Sequence, residues 1–270
     1  MKKMSFLWWF GAANEIYPYW RDGLRAAIEE IGKDHDVDLY LGEYEPEGEY
    51  DWHLIWADSN CPLIPLMDKH KGKKGLILTT MPQNFDYLRK LDIVFCESRP
   101  VYEAVRAQGI RAMHAFATDT DFYTPDPTVE KDIDVFYPAT FSPWKMQRDI
   151  AYLGDKLWCV GTVQPDGQED LQACLDNGVH VAQGYYKAEH IRDLYRRAKS
   201  VMIPAVHGSE RTVLEAMSTD ILPRVIRKDN HKTYSFIREF NTSGMKSPRE
   251  FVLKNYNHKD YAKKILRGFE

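Results

Sequence analysis

Short apolar runs alternate with amphipathic stretches along nearly the whole chain. Phe6–Phe10 is a compact apolar run, which predicts a buried strand. Trp20–Ile31 follows, with Leu24, Ala27, Ile28 and Ile31 on one face of a helix. Val37–Leu41, His53–Trp56, Leu76–Thr79 and Ile93–Cys96 read as further strands. A helix from Pro100 to Gln108 comes next. Pro100 near its start and Gly109 just past its end suit the asymmetry of helix ends.

The rhythm resumes in the second half. Strands are expected at Asp134–Tyr137, Leu157–Val160, Val179–Val181, Val201–Ile203 and Leu222–Ile226. Helices are expected near Glu169–Asp176, Ala188–Ala198 and Thr212–Ser218, and a last one near His258–Phe269. Alternation of this kind implies an α/β protein with parallel sheets flanked by helices. In such sheets ligands sit beyond the C-terminal strand ends. Pro125, Pro127 and many polar residues mark Asp119–Lys131 as a linker. The expected organisation is two α/β domains, residues 1–124 and 125–257, with a cleft between them. Residues 258–270 would form a terminal helix that crosses back to the first domain.

Composition narrows the function. At 270 residues and 44% hydrophobic, the chain can build two ordinary cores. A net charge of −4 supplies no global field for nucleic acid. Basic residues do gather locally, at Lys69, Lys71, Lys73 and Lys74 around His70, and again at Lys259, Lys263, Lys264 and Arg267. Cys61, Cys96, Cys159 and Cys174 form no Cys-x-x-Cys pair, so they read as buried thiols rather than disulfides or zinc ligands. The apolar run at the N-terminus stops at Gly11 with no small-residue cleavage site, and no apolar run reaches the ~20 residues of a membrane span. A cytoplasmic protein is expected.

The most informative segment is His207-Gly208-Ser209-Glu210-Arg211-Thr212-Val213-Leu214-Glu215-Ala216-Met217. It follows an apolar strand and opens a helix. Such a turn offers unpaired backbone N–H groups and a positive dipole end to a phosphate. Glu215, about one turn into the helix, would accept hydrogen bonds from two ribose hydroxyls; the alternative is an ordinary surface glutamate. Asp58, after the strand at His53–Trp56, is either a loop or cap residue or a polar group at an acceptor site. Gly11, after the first strand, would let the backbone approach a ligand closely.

This segment resembles the signature of glycosyltransferase family four, in which a Glu is followed by seven residues and a second Glu before Ala-Met. Glu215-Ala216-Met217 matches the second half, and His207 stands at the first Glu. Tyr137–Lys145 resembles the family's diphosphate loop: Lys145 matches its Lys, while Thr140 stands where Arg is usual and Arg148 is a nearby substitute. Leu157–Gly161, Val179–Gly184, Ile191–Ala198 and the junction run Ala117–Pro125 match in order, so the resemblance covers residues 93–226. Tyr185 and Tyr186 follow Gly184, and either hold a base or pack on a neighbouring helix.

The resemblance implies a GT-B fold of two Rossmann-like domains. It also implies transfer of a hexosyl or pentosyl group, with retention and without a metal, from a UDP- or GDP-linked sugar. That donor is a substrate, and no cofactor is implied. The implied catalytic residues are Lys145, His207 and Asp58. Donor contacts fall to Gly11, Gly184, Tyr185, Ser209, Glu210, Arg211, Thr212, Val213 and Glu215. Asp119-x-Asp121 has metal-site spacing but lies in the junction run and reads as structural. The family's N-domain His is missing from Leu78–Gln83. The acceptor would be a glycan, a small molecule or a modified DNA base. A nucleotide-sugar binding protein without catalysis is the reading from another class.

Overall fold

A computed structural model describes residues 1–8, 17–42, 44–57, 67–204, 211–226 and 247–270. The chain forms two compact units, Met1–Ala117 with Asn257–Glu270, and Thr118–Tyr256.

The first unit is a six-stranded parallel sheet in the order β2-β1-β3-β4-β5-β6. The strands are β1 (Lys3–Trp8), β2 (Asp36–Leu41), β3 (Trp52–Ala57), β4 (Lys73–Leu78), β5 (Ile93–Cys96) and β6 (Ala112–His114). Period-two alternation divides β1 between the two faces. Met4, Phe6 and Trp8 enter a core with α1 (Gly23–Ile31) and the terminal helix, while Leu7 joins Leu76, Leu78, Val101 and Val105 on the other face. The last two belong to α2 (Arg99–Ala107). Helix α1 starts later than its apolar spacing suggests, because the Asp22 carboxylate accepts the Arg25 N–H at 2.8 Å and caps it there. Trp20 lies outside the helix, its ring 5.0 Å from that of Trp8. Lys73 on β4 donates to the carbonyl oxygens of Phe269 and Glu270, so one of the clustered lysines is a structural anchor for the chain end.

The second unit is a five-stranded parallel sheet in the order β11-β10-β7-β8-β9. Its strands are β7 (Ile133–Pro138), β8 (Leu157–Gly161), β9 (His180–Gln183), β10 (Ala198–Ile203) and β11 (Arg224–Val225). Its helices are α3 (Gln168–Asp176), α4 (Ala188–Arg197), α5 (Arg211–Ser218) and α6 (Pro248–Asn255). Helix α7 (His258–Phe269) is the terminal helix of the first unit, begun by the Asn257 side chain accepting the Asp260 N–H at 2.8 Å. The start of the predicted linker is interior: Asp119, Thr120 and Tyr123 are buried. Arg249 on α6 donates to the carbonyls of Thr120, Tyr123 and Ser218 and ties that segment to the end of α5. Among the described residues, no helix is long and apolar enough to cross a membrane.

Candidate functional site

Strand order locates the crevices before any side chain is considered. In the second sheet the chain runs from β7 to β8 to β9 on one side, then crosses to β10 on the other side of β7. Loops diverge where the order reverses, and the β7/β10 boundary is such a switch point, where sheets of this kind commonly bind ligands. Two segments flank it: residues 139–147 after β7, and the passage from β10 into α5. His207, Ser209 and Glu210 fall in 205–210 and lie outside the described residues. In the first sheet the order reverses between β1 and β3, which end at Trp8 and Ala57. Gly11 and Asp58 come directly after these strands and likewise lie outside the described residues.

The segment after β7 is held from several sides. Phe141 donates its N–H to Thr162 O at 2.7 Å and accepts from Gln164 N–H at 3.1 Å. The chain after β8 approaches so closely that a Cβ on Gly161 would collide with the Ala139 carbonyl, and one on Gly167 with the Phe141 carbonyl. Glycine at these two positions therefore permits the loop. Lys145 is pinned at its backbone, where its N–H donates to Ser142 O at 2.9 Å and its carbonyl accepts from the Tyr137 hydroxyl at 3.1 Å. Thr140, where the resembled family has Arg, sits 3.0 Å from the Thr162 hydroxyl. The Arg148 guanidinium is engaged elsewhere, 3.2 Å from Glu169 and 3.8 Å from Asp170.

Helix α5 supplies the other wall. Within the described residues it runs from Arg211 to Ser218, with its N-terminal end toward β10 in the chain. Thr212 donates its hydroxyl to Pro138 O at 3.3 Å, which joins α5 to the C-terminal end of β7. Val213 is fully buried, backbone included, so it packs in the core rather than facing a ligand. Glu215 is half-buried, and its Oε2 accepts from the Tyr195 hydroxyl at 2.9 Å. Tyr195, on α4, is fully buried. Burial, and then the Glu215 charge, push its phenol pKa well above the ordinary value, so it remains a donor to the carboxylate. This partner was not singled out in the sequence, where Tyr195 appears only within the run Ile191–Ala198.

Gly184 and Tyr185 follow β9, two strands from β7, or about 10 Å at ordinary strand spacing. Gly184 has φ +117°, and its N–H donates to Gly161 O at 3.0 Å. Tyr185 is 53% exposed. The Tyr186 hydroxyl donates to Gln183 O at 3.4 Å. Asp119 uses Oδ1 to accept the N–H groups of Asp121 and Phe122 at 3.2 and 3.1 Å, a turn cap. Among the described residues, no group of three or more His, Cys, Asp or Glu could hold a metal. Cys96, Cys159 and Cys174 are buried free thiols, and Cys61 lies outside the described residues.

No family model and no curated protein sequence matches this chain. Solved structures do. AviGT4, a glycosyltransferase involved in avilamycin A biosynthesis, superposes with a TM-score of 0.67 at 13% identity, over 100% of this chain and 97% of that one. The apo structure of OtsA gives 0.65 at 7% identity, over 100% and 99% of the two chains. An alpha-glucosyltransferase in complex with UDP and a 13-mer DNA with a central A:G mismatch gives 0.60 at 10% identity, over 99% of each. The fold is therefore that of the GT-B glycosyltransferases, with two Rossmann-like units of parallel sheet flanked by helices.

Proposed function

We propose that this chain is a glycosyltransferase that moves a sugar from a nucleoside-diphosphate sugar to an acceptor, with retention and without a metal. The observation that carries the reading is the β7/β10 switch point. There Thr212 ties α5 to Pro138 at the C-terminal end of β7, from which the loop of Lys145 departs. The Lys145 ammonium and the α5 N-terminus would stabilise charge on the departing diphosphate. Glu215, steadied by Tyr195, would accept from the ribose hydroxyls. The base would lie toward Gly184 and Tyr185. Backbone N–H groups of Ser209 to Thr212 would receive phosphate oxygens. In this reading His207 would meet the donor sugar, Gly11 would let the backbone approach the donor, and Asp58 would serve the acceptor.

The test is direct. The protein is incubated with UDP- and GDP-linked hexoses and pentoses, and release of free nucleoside diphosphate is followed with and without EDTA. Release that EDTA leaves unchanged is the expected result. Binding without release across a panel of acceptors would replace this reading with a non-catalytic nucleotide-sugar binding protein. No binding of any nucleotide would overturn both. A modified DNA base is a second acceptor reading, supported by the structural likeness to the DNA-bound alpha-glucosyltransferase. Net charge −4 and the structural use of Lys73 weigh against it. DNA binding that falls steeply with added salt would favour it.

A further inference from the structure

We infer that Gln147 is the positioning residue of the proposed diphosphate site, setting where the Lys145 ammonium stands. Gln147 lies two residues after Lys145 and is fully buried. Its Nε2 donates back across the loop to Thr140 O at 2.9 Å and to Ala139 O at 3.3 Å. Two carbonyls accept from the same amide nitrogen, so the orientation of the side chain is determined. Those carbonyls belong to the first residues after β7. Gln147 therefore closes residues 139–147 into a ring with Lys145 on it. Its neighbours complete the clamp, because the Arg148 N–H donates to the buried Asp170 carboxylate at 3.1 Å. Between Lys145 and Gln147, Met146 takes φ 55°, ψ 40°, a left-handed conformation that a residue with a Cβ rarely adopts. Such a residue persists only where its surroundings over-determine it. A flexible lysine on a loose loop would lose much of its affinity for phosphate to ordering; a closed ring has already met that cost.

The inference rests on the nucleotide site proposed above, and the experiment separates the two. Binding of UDP and of uridine to the full chain is measured for wild type, Lys145→Ala, Gln147→Met and the double variant. Gln147→Met removes the donor and keeps the bulk. It should weaken UDP about tenfold and leave uridine unchanged, since only the diphosphate meets Lys145. In the Lys145→Ala background, Gln147→Met should change UDP affinity less than about twofold. Equal losses for UDP and uridine, or full additivity with Lys145→Ala, would overturn the inference while leaving the site intact. If wild type binds neither UDP nor GDP, the site and this role fall together. Gln147→Glu keeps the test open should the methionine variant not fold. A carboxyl facing two carbonyls must be protonated to donate. The ratio of variant to wild-type UDP affinity should therefore rise as pH falls from about 8 to about 6. A flat ratio would count against the role of Gln147.

Discussion

Two buried polar networks, one in each unit, use the same chemistry to opposite ends. In the first unit His53 is 1% exposed, and its ring is satisfied on both sides. Nε2 lies 2.6 Å from Lys71 O, which can only accept, so that nitrogen carries the proton. Nδ1 is then an acceptor, shared by the hydroxyls of Ser5 at 2.8 Å and Tyr44 at 2.6 Å, which are themselves 2.9 Å apart. The network closes on itself within the core. In the second unit the buried Tyr195 hydroxyl reaches a half-buried Glu215 at a strand-order reversal. One network holds the core together, and the other holds an acidic group on the helix proposed to meet the nucleotide. Burial and partners separate the two roles, where residue type does not.

Mutations should break that contrast in graded steps. His53→Ala takes a partner from two hydroxyls and from a carbonyl, and should cost about 3 kcal/mol of stability in chemical denaturation while leaving nucleotide binding of the folded protein unchanged. Glu215→Ala should weigh the other way, weakening UDP about fiftyfold by calorimetry through the lost ribose bonds, with a smaller stability cost of about 1 kcal/mol from the Tyr195 hydroxyl that loses its acceptor. Tyr195→Phe keeps the ring in the core and removes only the hydroxyl, so a loss of about fivefold in UDP affinity is expected. The smallest effect falls on the loop. Met146→Gly relieves the left-handed conformation and should change stability by less than about 1 kcal/mol, because the added freedom of the unfolded chain offsets the relief.

Acid sharpens the same comparison. Burial depresses the pKa of His53 below the ordinary histidine value, and burial with the nearby Lys264 and Arg99 charges brings His114 to about 4. Both groups bind fewer protons folded than unfolded. Stability is therefore full above the unfolded value of about 6.5 and falls as pH drops below it, for His114 until about pH 4. A denaturation series that found stability constant from about pH 7 to pH 4.5 would contradict this account of the first unit's interior.

Much of the element pattern was legible because it is written in consecutive residues. Ile93–Cys96 and His258–Phe269 match their sequence readings to the residue, since an unbroken apolar run and a capped amphipathic repeat both carry their own limits. Strand β6 was missed because Ala-Met-His is too short to show a period. Helix α6 was missed although Ser247 and Pro248 mark its start, because Phe251 and Val252 are too few to show an apolar stripe. For the proposed site, Thr212 and Glu215 were candidates from the helix-opening segment and Lys145 from the family resemblance, whereas Tyr195 and Gln147 were not candidates. Each looks like ordinary filler until its partner is known.

The sequence by itself determined the α/β class, the order of strands and helices, and the segments on which phosphate and ribose chemistry was expected, because periodicity and helix-end residues act over a few positions. Only the tertiary structure decided the order of strands within each sheet, and with it the reversal between β7 and β10. It also decided which groups meet, such as Thr212 with Pro138 and Tyr195 with Glu215. Strand order follows from how whole faces of apolar side chains are buried together, a balance summed over each unit that no short stretch of chain can express.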